Sequence, residues 1–199
     1  MTGTMRSKLR HSLALAALVL VPALLPAAAS AETYDVDAVH SSVMFRAKRM
    51  DTVYVYGRFN EFAGTLEMTG EDVATGKLML EVKTTSVDTG NERRDDHLRN
   101  PDFFNSAQLP VMKFESTGVK PGSGGAFEVT GNLTIHGVTK PVTATVEKVG
   151  SGKDPRAGKT LVGFEAKFTL KRSDFDIKYM VGPLSDEVDV HLALQVVSR

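Results

Sequence analysis

The sequence predicts an all-β domain: an eight-stranded antiparallel β-barrel with one short helix between the third and fourth strands. Three observations carry that reading. Apolar residues alternate at period two nearly everywhere and recur at a helical period almost nowhere. Turn residues rich in glycine fall between the alternating runs. The runs number eight and most reach roughly ten residues, long for a small sandwich and enough to close a barrel able to hold one small ligand. Closure also removes exposed sheet edges.

At the start of the chain, Arg6, Lys8 and Arg10 precede an apolar run from Leu13 to Leu25 that ends in Ala27-Ala28-Ala29-Ser30-Ala31. This is the layout of a cleavable secretory signal. Pro22 and Pro26 interrupt the run, which falls short of the roughly 20 apolar residues of a bilayer span. Residues 1–31 are therefore expected to be a signal peptide, and residues 32–199 one exported, periplasmic domain. The chain has no cysteine, so a lipid-modified cysteine, a disulfide and a thiolate metal site are all excluded. The first 31 residues hold three of the 24 Lys/Arg and none of the 24 Asp/Glu, leaving 21 basic against 24 acidic groups. That mildly acidic balance disfavours a nucleic-acid partner.

Strands are expected over 33–49, 53–68, 75–88, 110–119, 125–136, 138–149, 160–172 and 186–198. The last is the clearest: Val188, Val190, Leu192, Leu194 and Val196 share one face, and Glu187, Asp189, His191 and Gln195 the other. Leu78, Leu80, Val82 and Thr84 split in the same way from Lys77, Met79, Glu81 and Lys83. Turns are expected at Thr69-Gly70-Glu71-Asp72, at 121–125, at His136-Gly137 and at 150–152. The break from Asn91 to Asn105 reads as a short helix, limited by Pro101 and followed by Phe103-Phe104. The polar faces are dense in Lys and Glu and the chain has no tryptophan, so the apolar side is the inside. A membrane barrel would turn its apolar side to lipid.

The inward positions mix large residues (Phe45, Phe59, Phe62, Phe114, Phe164, Phe168) with small ones (Ala47, Gly64, Thr84, Ser86, Gly131, Ala144, Ala166). Two outcomes stay open: an ordinary packed core, or a cavity. A cavity so lined would select a long apolar ligand. Burying about ten methylenes at about 0.8 kcal/mol each gives roughly 8 kcal/mol before ordering costs.

Several motifs then coincide in order: Asp37-Ala38-Val39-His40-Ser41-Ser42-Val43-Met44-Phe45, Gly57-Arg58-Phe59-Asn60-Glu61-Phe62-Ala63-Gly64, Ser86 to Leu98 with Asp102-Phe103-Phe104-Asn105, Pro110 to Thr117, Gly131 to Pro141, and Arg172-Ser173-Asp174-Phe175. Together they resemble the YceI-like family of periplasmic lipid-binding proteins over essentially the whole of 32–199. The resemblance implies a lipocalin-like barrel that takes a polyisoprenoid, an isoprenoid quinone-like molecule or a similar amphiphile into its lumen, with no assigned catalytic activity; no cofactor and no metal are expected. Two departures stand out: Lys48-Arg49-Met50 where the family often has a His-x-Gly element, and Asp176 where it often has Gly.

On this reading Val43, Phe45, Phe59, Phe62, Leu66, Leu80, Val82, Phe103, Phe104, Phe114, Leu133, Phe164, Phe168 and Phe175 are candidate ligand contacts. His40, Arg94, His97 and Arg172 are candidates for the rim or headgroup. Three of these readings have a plainer alternative: His40 as a hydrogen bond closing the barrel end, Arg94 as an ion pair to Asp88 or Asp102, and Phe103-Phe104 as an anchor for the helix. Asp95-Asp96-His97 lacks the second histidine that would complete a metal site. Neither a Gly-x-Ser-x-Gly elbow nor a cysteine supplies a nucleophile. An enzyme acting on such an amphiphile and a ligand-free interaction module remain the competing classes, and homodimerisation stays open.

Overall fold

The computed structural model describes residues 1–2 and 30–199, so nearly all of the expected signal peptide lies outside the described residues. The alternating runs become β1 (Ala31–Val36), β2 (Ser42–Arg49), β3 (Val53–Phe59), β4 (Phe62–Thr69), β5 (Asp72–Lys83), β6 (Val87–Asp88), β7 (Val111–Pro121), β8 (Phe127–Ile135), β9 (Val138–Lys153), β10 (Thr160–Lys171) and β11 (Leu184–Ser198). They form one antiparallel sheet ordered β1-β4-β5-β7-β8-β9-β10-β11, and β1 pairs with β11 to close a barrel of eight staves.

The first two staves differ from the continuous strands expected over 33–49 and 53–68. Each is broken, at 37–41 and at 60–61. From Val43↔Phe59 to Asp35↔Thr65 the first stave uses eight residues and the second six, so the register shifts across the bend. Side chains replace the ladder there. Asp37 Oδ1 accepts from the Val39 N–H at 3.0 Å, Asp37 Oδ2 lies 2.7 Å from His40 Nδ1, and Ser41 Oγ accepts from the Gln195 N–H at 2.9 Å. Beyond the bend β2 and β3 leave the ring as a hairpin. β2 keeps β11 as a neighbour, whereas β3 meets β6 only at Arg58↔Asp88 and Phe59↔Val87.

The strand expected over 75–88 also ends early. After Lys83 a 3₁₀ turn, Thr84–Ser86, is tied across the barrel end by Thr84 N–H to Pro110 O at 2.9 Å and Thr84 Oγ1 to Leu109 O at 3.1 Å. Helix α1 (Glu92–Arg99) follows, with Asn91 as its N-cap accepting from the Arg94 N–H at 3.0 Å. Near the other side of the same end a second 3₁₀ turn, Arg172–Phe175, leads into Asp176 at φ 62°.

The buried apolar residues fall into two groups. One, around Tyr34, Met68, Val162 and Val196, plugs the end where the ring is fully paired. The other, around Phe59, Val82, Phe103, Phe175 and Ile177, lies beneath α1 and the second turn. Between them the inward faces do not meet.

Candidate ligand-binding cavity

Alternation on eight staves points one apolar row per strand inward, and the rows enclose a cavity of about 240 Å³. That is many times the roughly 10–15 Å³ needed to admit one water. A close-packed interior tolerates few voids larger than one. The wall is hydrocarbon apart from Lys113, Ser116 and Arg172. Ser116 Oγ is occupied by the Leu78 N–H at 2.8 Å, and the Lys113 ammonium turns outward to Glu81 at 2.6 Å.

Of the fourteen apolar candidates, Val43, Phe45, Phe59, Leu66, Leu80, Val82, Phe103, Phe104, Phe114, Leu133, Phe164, Phe168 and Phe175 stand in the wall. Phe62 does not. It packs half-buried against the group under the helix, at the first residue of β4 and in the same row as Gly64 and Leu66. The wall also includes residues not singled out in the sequence, among them Met68, Met112, Ile135, Leu170, Ile177 and Leu184. Those on strands are recoverable from parity, whereas Ile177 belongs to an irregular loop with no periodic signal.

The small residues act unevenly. Ala47, Ala144 and Ala166 line the cavity. Gly131 leaves no free room: a Cβ there would stand 2.3 Å from the Phe114 ring and 2.6 Å from the Glu115 carbonyl. Gly64 faces the Met79 carbonyl, and Thr84 and Ser86 belong to the turn that seals the end.

The four polar candidates separate. Arg172 is buried in the wall, and its guanidinium donates to the carbonyls of Ser185 (2.9 Å), Ile177 (3.1 Å), Tyr179 (2.7 Å) and Leu184 (3.1 Å). Four of its five N–H donors are thus committed to the 177–185 loop, leaving one on Nη2. Burial lowers its pKa from the ordinary guanidinium value. The other three stand outside the wall. His40 is exposed and holds the bend through Asp37, whose carboxyl lies below its ordinary pKa because of that bond. Arg94 does not reach Asp88 or Asp102. It donates to Thr89 O at 2.8 Å and Thr89 Oγ1 at 2.7 Å, since Asp88 is taken by Arg58 and Asp102 by His97. His97 stands edge-on to Phe103 and to Tyr179, whose rings are also edge-on to each other at 5.5 Å. This trio joins α1, the Phe103-Phe104 segment and the 177–183 loop into a cover. Phe104 extends it inward, edge-on to Phe59 at 5.5 Å. Among the described residues there is no grouping of three or more His, Asp or Glu side chains that could hold a metal.

The model of the YceI-like domain matches residues 34–196. The chain belongs to the YceI-like family. Among its relatives, the UPF0312 protein of Pseudomonas aeruginosa strain LESB58 is 42% identical over 184 residues, covering 91% of this chain and 95% of the relative. Protein YceI of Escherichia coli O157:H7 is 41% identical over 165 residues, covering 83% and 85%. Burkholderia cenocepacia BcnA shares the fold with a TM-score of 0.72 at 26% identity, covering 80% of this chain and 98% of that one. A polyisoprenoid-binding domain from Saccharophagus degradans, implicated in plant cell wall breakdown, shares it with a TM-score of 0.64 at 18% identity, covering 83% and 98%. Both departures of this YceI-like chain from the motif fall where the backbone is left-handed: Met50 has φ 48° and Asp176 φ 62°.

Proposed function

We propose that this YceI-like barrel binds one amphiphilic lipid in its interior, a polyisoprenoid or an isoprenoid quinone-like molecule, and carries it without chemical change through the periplasm. The observation that carries the reading is a hydrocarbon-walled cavity of about 240 Å³ beneath a cover of packed rings. Such a wall offers an apolar tail burial and offers a sugar or nucleotide almost nothing. The uncommitted N–H of Arg172, beside the cover, suits a hydroxyl, carbonyl or phosphate at the polar end of the ligand. The polyisoprenoid-binding description of the Saccharophagus degradans domain supports the ligand class by shared fold. The layout of residues 1–31 supports export.

The test is gentle native mass spectrometry of the full chain expressed in a bacterial host and recovered from its periplasmic fraction, followed by solvent extraction of what is released. One apolar species per chain, with the protein mass corresponding to cleavage after Ala31, is the expected result. An empty, folded protein that also refuses added polyprenyl lipid would remove the reading.

A further inference from the structure

The two loops that flank the cover carry a second feature that lipid binding does not use. The β2–β3 hairpin exposes Met50, Val53, Tyr54 and Tyr56, and the loop before β11 exposes Tyr179, Met180 and Val181, each between 40 and 63% accessible. The loops are joined: the Met50 N–H donates to Pro183 O at 2.7 Å, and Arg49 pairs with Leu184. Tyr179 is also one of the three rings that close the cover. Large exposed apolar side chains gathered on two joined loops mark an interaction site, and through Tyr179 these continue into the covering of the cavity.

Both methionines are held in an unfavourable backbone. Met50 and Asp51 are the central residues of the turn that Thr52 N–H closes on Arg49 O at 3.0 Å, at φ 48° and 52°, a geometry that Asn-Gly satisfies without strain. Met180 stands at φ 53°. In each case a long apolar side chain occupies a position where glycine or asparagine would fold more easily, and it is turned to solvent. Neither choice helps the barrel itself.

Charge selects the partner. The segment Ser42–Phe59 holds Arg46, Lys48, Arg49 and Arg58 against Asp51 alone, whereas Ser173–Glu187 holds Asp174, Asp176, Asp186 and Glu187 against Lys178, so the hairpin is the cationic side of the surface. Asp189 and Asp88 from neighbouring strands each reach one of these cations, and Lys48 reaches Asp51. On the outer face Arg46 is paired with Tyr56 and Lys48 with Tyr54, and the Arg46 guanidinium lies 4.3 Å from the centre of the Tyr54 ring. Tyrosines interleaved with cations around exposed methionines make up the composition of a membrane–water interface.

We propose that the Met50–Tyr56 hairpin and the Tyr179–Val181 loop form a docking surface for an anionic phospholipid bilayer, which holds the cover at the membrane where an apolar ligand is exchanged. The purpose of the surface rests on the lipid-carrier reading; its chemistry does not. Because the chain has four tyrosines and no tryptophan, and three of the four lie in this surface, tyrosine emission reports directly on docking.

The test uses the full chain as recovered from a bacterial periplasmic fraction. It is mixed with vesicles of equal parts phosphatidylethanolamine and phosphatidylglycerol, or of phosphatidylcholine alone, each made with brominated acyl chains that quench tyrosine. Sedimentation with the anionic vesicles and quenching of emission are expected, both weakened by salt. The double variant Met50→Asn with Met180→Asn relieves both strained turns, so it should melt at or above the parent temperature yet bind the vesicles at least about tenfold more weakly. That comparison also separates this surface from any other apolar segment of the chain. Binding that is absent from both vesicles, or unchanged in the double variant, would overturn the proposal. Lipid occupancy measured on the same samples keeps the two readings apart: a loaded protein that ignores vesicles sinks the docking surface alone, and an empty protein that binds them sinks the carrier alone.

Discussion

The two ends of the barrel are built to different rules. At the closed end all eight staves are paired, and Tyr34, Met68, Val162 and Val196 are each at most 1% accessible. The Tyr34 hydroxyl donates to Glu32 at 2.9 Å and burial, with that bond, pushes its pKa up to about 12. At the covered end the ring is incomplete. The hairpin β2–β3 leaves it, and the space is filled by α1, two 3₁₀ turns and the rings of His97, Phe103 and Tyr179, held by polar bonds to backbone carbonyls. One end is closed by strand pairing and the other by loops and rings, so local opening is expected to begin at the covered end.

The sharpest way to break this contrast is truncation. Met68→Ala should lower the free energy of unfolding by about 2–5 kcal/mol, because a fully buried side chain leaves a hole in a close-packed plug. Chemical denaturation measures it. Arg172→Ala should cost about 3 kcal/mol, since four carbonyls lose a charged donor at once, and should loosen the 177–185 loop in hydrogen exchange. Gly131→Ala should cost about 1–3 kcal/mol, because the Glu115 carbonyl cannot yield to the new Cβ as a ring could.

Phe103→Ala with Phe104→Ala sharpens the contrast from the other side. Removing the covering rings should speed lipid release on the order of tenfold while the barrel stays folded, because each edge-on ring pair is worth about 0.5–1.5 kcal/mol. Unchanged release kinetics would mean that the rings only anchor the helix.

The smallest effect is on pH. His40 holds the Asp37 carboxyl below its ordinary pKa, and Thr169 followed by Arg46 does the same for Asp189. A carboxyl whose folded pKa is depressed adds stability that is present above the unfolded value of about 3.9 and is lost as pH falls through the folded one. Melting temperature should therefore hold down to about pH 4 and decline below it. Asp37→Asn should reduce that decline.

How much of this was legible depended on periodicity. Parity along β5, β8, β10 and β11 identifies the wall residues, because a buried row on a paired strand has only one way to face. The breaks at 37–41 and 60–61 were not legible: Asp37, Ser41 and Gln195 support the first through hydrogen bonds that join residues 154 or more positions apart, and the second sets Phe62 at the very start of β4, where parity alone does not say how far along the row the cavity reaches. The same limit applied to Arg94, whose partner Thr89 is a local loop residue, while the acidic partners available from sequence spacing were already taken. The role of Arg172 depends on two carbonyls of an irregular loop and two at the start of β11, which no spacing rule announces.

If the void between the two ends is the ligand site, filling it should exclude the lipid. Ala166 lines the cavity with room before it, so Ala166→Leu should leave the melting temperature of the empty protein unchanged or raised and should abolish stoichiometric lipid in native mass spectra. A folded Ala166→Leu protein that still carries its full complement of lipid would contradict the account and put the ligand elsewhere.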